Sequence, residues 1–260
     1  MTTTATTATT AATSTSVATT PISIPAGANP RGTVIVLAGR GEAAPVYTRF
    51  GTRIASDAYT VRIVTGAATA PAEASDAVRG LLADDELPSP KFLVGSDAGG
   101  ALALQIAAAR HEDRGPAGVV VAGLPEPGAA GARAGSGRGD GTTDVAADAE
   151  VRSACPVHQS VLAAPGSIAP GALTDPLPAD LELPAPQSIG VPVLAFFGEA
   201  DSVIDRDASE RWLSEVPHAE IRRTAAGLHD ALNDRTHRSV AARIVLFLED
   251  AKNGGEPLLR

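Results

Sequence analysis

The sequence predicts an α/β fold built on a mostly parallel sheet, and three observations predict it. Short runs rich in β-branched residues alternate with stretches of helical periodicity from Gly32 onward, which is how a parallel sheet with helices on its faces is written. The runs are almost continuously apolar, as strands covered on both sides have to be. Hydrophobic residues make up 44% of the 260 while aromatics make up 3%, so Ala, Val, Leu and Ile must fill a large core without help from rings.

Strands are expected over 33–37, 61–64, 92–95, 118–121, 193–197 and 219–222, with an antiparallel edge near 22–24. Apolar residues at helical spacing place helices over 43–58, 71–82, 99–110, 206–216 and 236–251. The length fits a single domain over 21–260. Residues 1–20 are almost wholly Thr, Ala and Ser, a composition that predicts a disordered tail. They lack the basic and apolar regions of a secretion signal, so a cytoplasmic location is expected. The alternation breaks over 124–189, whose first half is dominated by Gly, Ala, Arg and Asp. An insertion after the carboxyl end of a strand lies over the ligand crevice of such a sheet, so this one reads as a cap.

Charge and composition exclude several function classes. A net charge of -9 without basic clusters argues against nucleic-acid partners, which need a positive face. No apolar run reaches the ~20 residues of a bilayer span. The five histidines show no metal-ligand spacing and Cys155 is the only cysteine, so neither a metal nor a disulfide is implied. Cys155 has no visible low-pKa context. Gly39-Arg40-Gly41 lacks the third glycine of a dinucleotide fingerprint, so no cofactor is implied and the expected partner is a small-molecule substrate.

The segment Phe92-Leu93-Val94-Gly95-Ser96-Asp97-Ala98-Gly99-Gly100 has the form strand, sharp turn, helix. It resembles the nucleophile elbow of α/β-hydrolases, in which small residues two before and two after the nucleophile let a strained turn pass close to its neighbours. Gly95 and Gly99 meet that need around Asp97; centring the elbow on Ser96 would lose both glycines. The fold class is therefore read as the α/β-hydrolase fold, with aspartate where most relatives carry serine.

Further pieces fall in the chain order nucleophile, acid, histidine. Gly198-Glu199-Ala200-Asp201 follows the 193–197 strand and resembles the loop that supplies the family's acid, so Asp201 would orient the histidine. Asp205 is the neighbouring alternative, and either residue can equally cap a helix. Ala226-Gly227-Leu228-His229-Asp230 places His229 where the family carries its base. His111 at a helix end, His237 in a first turn and His218 before a strand have plainer readings, while His158 lies in the cap without one. Leu37-Ala38-Gly39-Arg40-Gly41-Glu42 resembles the HGxGE segment of the monoacylglycerol lipase and lysophospholipase branch, with Ala38 replacing its histidine. The resemblance makes the backbone N–H groups of Arg40 and Ala98 the oxyanion hole, where side-chain identity does not decide. The chain's ending from His229 also looks like actinobacterial hydrolases of this group.

An aspartate at the elbow implies displacement at an sp³ carbon, followed by hydrolysis of the alkyl-enzyme ester by water that His229 activates near its ordinary pKa of ~6.5. Haloalkane dehalogenases and epoxide hydrolases of the fold work that way, yet Ala98 stands where a dehalogenase would carry Trp. The only Trp, Trp212, falls in a later helix, and both tyrosines, Tyr47 and Tyr59, precede the elbow, leaving His158 or Arg152 as substitute proton donors. Three readings follow. One is hydrolysis of an ester, lactone, epoxide or activated alkyl compound through Asp97, His229 and Asp201. Another is a non-hydrolytic ligand-binding or tailoring protein on the same fold. The third is a serine esterase using Ser96.

Overall fold

A computed structural model describes residues 17–109, 114–130, 144–255 and 258. His111, the expected helix end at Arg110, most of the expected tail and 131–143 of the insertion lie outside the described residues.

Seven strands form one sheet: β1 (Thr19–Ile22), β2 (Gly32–Leu37), β3 (Tyr59–Val64), β4 (Lys91–Ser96), β5 (Val119–Ala122), β6 (Val193–Gly198) and β7 (Ala219–Thr224). Their order is β1-β3-β2-β4-β5-β6-β7, parallel except where β1 runs antiparallel to β3. The edge strand thus takes in Thr19 and Thr20, which the composition assigned to a tail. Its backbone pairs with Val61–Val64 whatever its mostly exposed side chains are.

Helices cover both faces: α1 (Thr48–Ser56), α2 (Pro71–Ala83), α3 (Ala98–Ala108), α4 (Val145–Arg152), α5 (Pro156–Leu162), α6 (Arg206–Leu213) and α7 (His237–Lys252). The period of two along each strand sorts the core into two layers. Val34, Val36, Phe92, Val94, Leu194 and Phe196 pack with Phe50 and Ile54 of α1 and Ile244 and Leu248 of α7. Ile35, Leu37, Leu93, Val121, Ala195 and Phe197 pack with Val78 of α2, Leu102 of α3 and Leu213 of α6. Burying each Val, Leu, Ile or Phe contributes about 1.5–3 kcal/mol, so the two layers supply the main driving force.

The chain leaves β2 toward β3 on one side and returns to β4 on the other. The order therefore reverses at β2, and the crevice at such a reversal lies beyond the carboxyl ends of the strands. Leu37 and Ser96 end β2 and β4 there, which brings the loop at 38–43 and the turn at Asp97 together. The segment between β5 and β6 contributes α4, α5 and three short 3-10 turns. Its stretch near Ile168 runs beside that loop, with Ala43 donating to the Ser167 carbonyl and Ala169 to that of Gly41.

Candidate active site

Asp97 sits between β4 and α3 with φ +50° and ψ −120°. A residue with a side chain avoids this region unless its surroundings enforce it, and such strain collects at functional sites. The enforcement is visible in the two glycines. A Cβ on Gly95 would lie 2.3 Å from the Gly99 carbonyl oxygen, and one on Gly99 would lie 2.2 Å from that of Leu37. Strand, turn and helix therefore approach too closely for any other residue. Ser96, by contrast, shares the strand register of Phe92 and Val94 and faces the layer that holds Tyr47.

The sequence-predicted residues come together around this turn. Nδ1 of His229 lies 2.9 Å from Oδ2 of Asp201, and its Nε2 lies 3.8 Å from Oδ1 of Asp97. Gly123 and Gly198 keep the ends of β5 and β6 open for this loop: a Cβ on either would lie within 2.8 Å of the backbone at His229 or Leu228. Asp201 also accepts from the Val203 amide, which fixes its carboxylate. Asp205 takes the capping alternative, accepting from the Ala208 amide at the start of α6.

Arg40 makes contacts beyond its expected part. Its backbone N–H does point at the site, but it donates to Oδ2 of Asp97 at 3.0 Å. The side chain adds two more bonds, Nε to Oδ2 at 2.8 Å and Nη2 to Oδ1 at 2.9 Å. Side-chain identity, expected to be immaterial at this position, therefore governs the nucleophile candidate. Ala98 opens α3 with its N–H at the helix N-terminus, beside the turn.

Behind this layer lies a second, buried one that the sequence reading missed. Arg152 of α4, fully buried, pairs with Glu42 and with Asp148, each at 2.8 Å, and donates to the Arg40 carbonyl. Its own carbonyl accepts from the Asp230 amide. Tyr47 hydrogen-bonds Glu42 and accepts from the Gly39 amide. His158, offered by the sequence only as a substitute proton donor, lies with Nε2 2.7 Å from Oδ2 of Asp230, next to His229. The one available signal was charge: Arg40, Glu42, Arg152 and Asp230 sit in or beside segments otherwise made of small residues.

The electrostatics follow from burial and pairing. Burial alone would raise the Asp97 carboxyl, but Arg40 and His229 beside it hold it well below the ordinary range. For His229, burial opposes the charged form, yet Asp201 and then Asp97 outweigh it and raise the imidazole to about 9. The expected value near 6.5 is thus corrected: between two carboxylates, the ring is an imidazolium at neutral pH. Cys155 also departs from expectation. Burial would raise its thiol, but Arg49, with Nη1 3.4 Å from Sγ, lowers it.

The site is closed, with Asp97 1% and His229 2% exposed. A cavity of about 720 Å³ lies elsewhere, lined by Val193, His218 and Phe247 near the amino ends of β6 and β7. It holds none of the residues above. Among the described residues no cluster suits a metal ion, and no helix is long and apolar enough to cross a membrane.

No family model and no curated protein matches the sequence. Solved structures do match. A monoacylglycerol lipase from Paleococcus ferrophilus superposes with a TM-score of 0.68 at 18% identity, covering 91% of this chain and 99% of its own. The chain has the α/β-hydrolase fold. A monoglyceride lipase from Saccharomyces cerevisiae shares the fold with a TM-score of 0.67 at 14% identity, over 90% of this chain and 92% of its own. A thermostable carboxyl esterase from Bacillus coagulans shares it with a TM-score of 0.67 at 16% identity, over 90% and 94%.

Proposed function

We propose that the chain is a hydrolase that works through a covalent ester on Asp97, acting on a small activated alkyl compound, epoxide, lactone or ester. One observation carries this reading: a buried carboxylate on a strained turn faces an imidazole whose other nitrogen is bonded to a second carboxylate. Lipases and esterases on the same fold support the hydrolase class. The segment over 124–189 serves as the cap, and the chain is read as one domain beneath it.

Displacement suits a carboxylate. Oδ1 of Asp97 attacks the substrate carbon, a C–O bond forms, and the bond to the leaving atom breaks with its electron pair going to that atom. Water then adds to the Asp97 carboxyl carbon and gives its proton to Nε2 of His229. The oxyanion that forms is held by the backbone N–H groups of Arg40 and Ala98. Collapse expels the product oxygen, which takes the proton from His229, and the second proton of the water leaves the Asp97 carboxyl for solvent, restoring the carboxylate. The two steps make opposite demands on His229, and charge supplies the change. Esterification neutralises Asp97 and removes one of the two anions that raise the imidazole, so the ring loses its proton more readily when a base is needed.

Arg40, bound to both oxygens of Asp97, favours a second reading, in which the protein binds or rearranges a ligand without hydrolysis. Single turnover in oxygen-18 water over a panel of epoxides, haloalkanes and p-nitrophenyl esters separates the two. Incorporation of label into Asp97, abolished in Asp97→Asn and retained in Ser96→Ala, is expected. Unlabelled Asp97 alongside product formation, or acylation of Ser96, would exclude the covalent route through the aspartate.

A further inference from the structure

Arg40 is buried, with 6% of its surface exposed. Each nitrogen of its guanidinium is engaged: Nε and Nη2 on the two oxygens of Asp97, and Nη1 on the Asp175 carbonyl at 2.9 Å. Asp97 is the one carboxylate bonded to it among the described residues, because Glu42 and Asp148 are held by Arg152. Any chemistry that esterifies Asp97 removes that negative charge and leaves Arg40 as a buried cation with no carboxylate bonded to it, Glu126 acting on it only through its field, which is unfavourable. A neutral substrate offers no remedy. A substrate that brings its own carboxylate does, because the planar fork that now grips Asp97 fits another carboxylate equally well.

We infer that Arg40 is an anion-binding residue for the substrate, and that the substrates are small organic carboxylic acids carrying the electrophilic carbon within a few bonds of the carboxylate. For the reaction, this rests on the reading of Asp97 as nucleophile; for binding, it rests on the fork alone. In the resting chain Asp97 fills the fork itself. Entry of a substrate carboxylate exchanges one partner for the other, so Arg40 stays paired while an oxygen of Asp97 is released for attack. A carboxylate taking the Nη1–Nη2 edge displaces the Asp175 carbonyl from Nη1 and Oδ1 of Asp97 from Nη2. Recognition is thereby tied to movement of the segment that closes the site. A net charge of -9 provides no long-range attraction for anions, so selection operates at contact.

The test titrates the full chain with acetate, and with acetamide as its neutral counterpart, by calorimetry. Asp97→Asn vacates the fork and is expected to bind acetate at least tenfold more tightly than the unmodified chain. The further change Arg40→Lys, which keeps the charge but not the fork, should remove that gain, and acetamide should bind none of them. Should Asp97→Asn fail to fold, the unmodified chain against Arg40→Lys decides, with at least tenfold weaker acetate binding expected in the latter. Equal affinity with and without the Arg40 side chain overturns the inference. Turnover of glycidate and 2-chloropropionate should exceed that of their amides at least tenfold. Acetate binding that depends on Arg40, with no turnover of either acid, supports the anion site and rejects Asp97 as nucleophile.

Discussion

At the scale of single residues, the site is a chain of alternating charge: Asp201, His229, Asp97 and Arg40 in contact order. Asp97 and His229 each owe their protonation state to their neighbours, so pH acts on both at once. The depressed Asp97 carboxyl stabilises the fold above its ordinary pKa, and that contribution is lost as pH falls toward its depressed value. The raised His229 contributes in the opposite sense: fully present below its unfolded pKa of ~6.5, and lost as pH rises through about 9. On the proposed route, formation of the ester on Asp97 should be flat between about pH 5 and 8, since the carboxylate is ionised throughout. Its hydrolysis should rise with pH to a plateau, with a midpoint below the value of about 9 that His229 has in the free chain, because the neighbouring charge has gone. Rapid-quench measurement of the two steps checks this, and a hydrolysis rate indifferent to pH would remove His229 as base. Asp201→Asn deprives the ring of its orienting partner and should slow hydrolysis by about 10²–10⁴-fold, while ester formation changes little.

At the scale of elements, the sheet and most of its helices were legible because each announces itself through period and neighbourhood. The runs near 33–37, 92–95 and 193–197 are apolar on both faces, and the strands observed there differ by a residue or so at their ends. The tight turn at Asp97 was legible for a different reason: two glycines bracket it at the spacing that only close backbone approach explains. α4 and α5 were not legible, since eight and seven residues are too short for a stable period. Nor was the Arg40 clamp, because a guanidinium in a Gly-rich loop says nothing of which carboxylate it meets 57 residues away. The elbow makes its own prediction. Gly99→Ala would set a Cβ 2.2 Å from the Leu37 carbonyl oxygen, which is backbone on both sides and has no rotamer to yield. A loss of at least ~2 kcal/mol in urea unfolding is expected. A loss below about 0.5 kcal/mol, within the range of an ordinary surface change, would show that the strand and helix are free to part.

At the scale of the whole molecule, the question is what ties the segment between β5 and β6 to the sheet. Apolar burial accounts for part, through Ala149, Leu162 and Ile168. Arg152 makes the polar tie, and its contacts reach three separate parts of the chain. It pairs with Glu42 and bonds the Arg40 carbonyl on the loop after β2, pairs with Asp148 within α4, and accepts from Asp230 on the histidine loop. Replacing both members of a buried pair with apolar groups can be nearly neutral, but removing one leaves the other desolvated and alone. Arg152→Met therefore strands Glu42, whose carboxyl burial already pushes up while Arg152 holds it down. A destabilisation of about 3–5 kcal/mol is expected, with faster proteolysis between β5 and β6. Pairing the change with Glu42→Gln should recover much of the loss in a double-mutant cycle. Additive losses from the two changes would mean that the tie is not this ion pair, and that apolar packing alone holds the segment to the sheet.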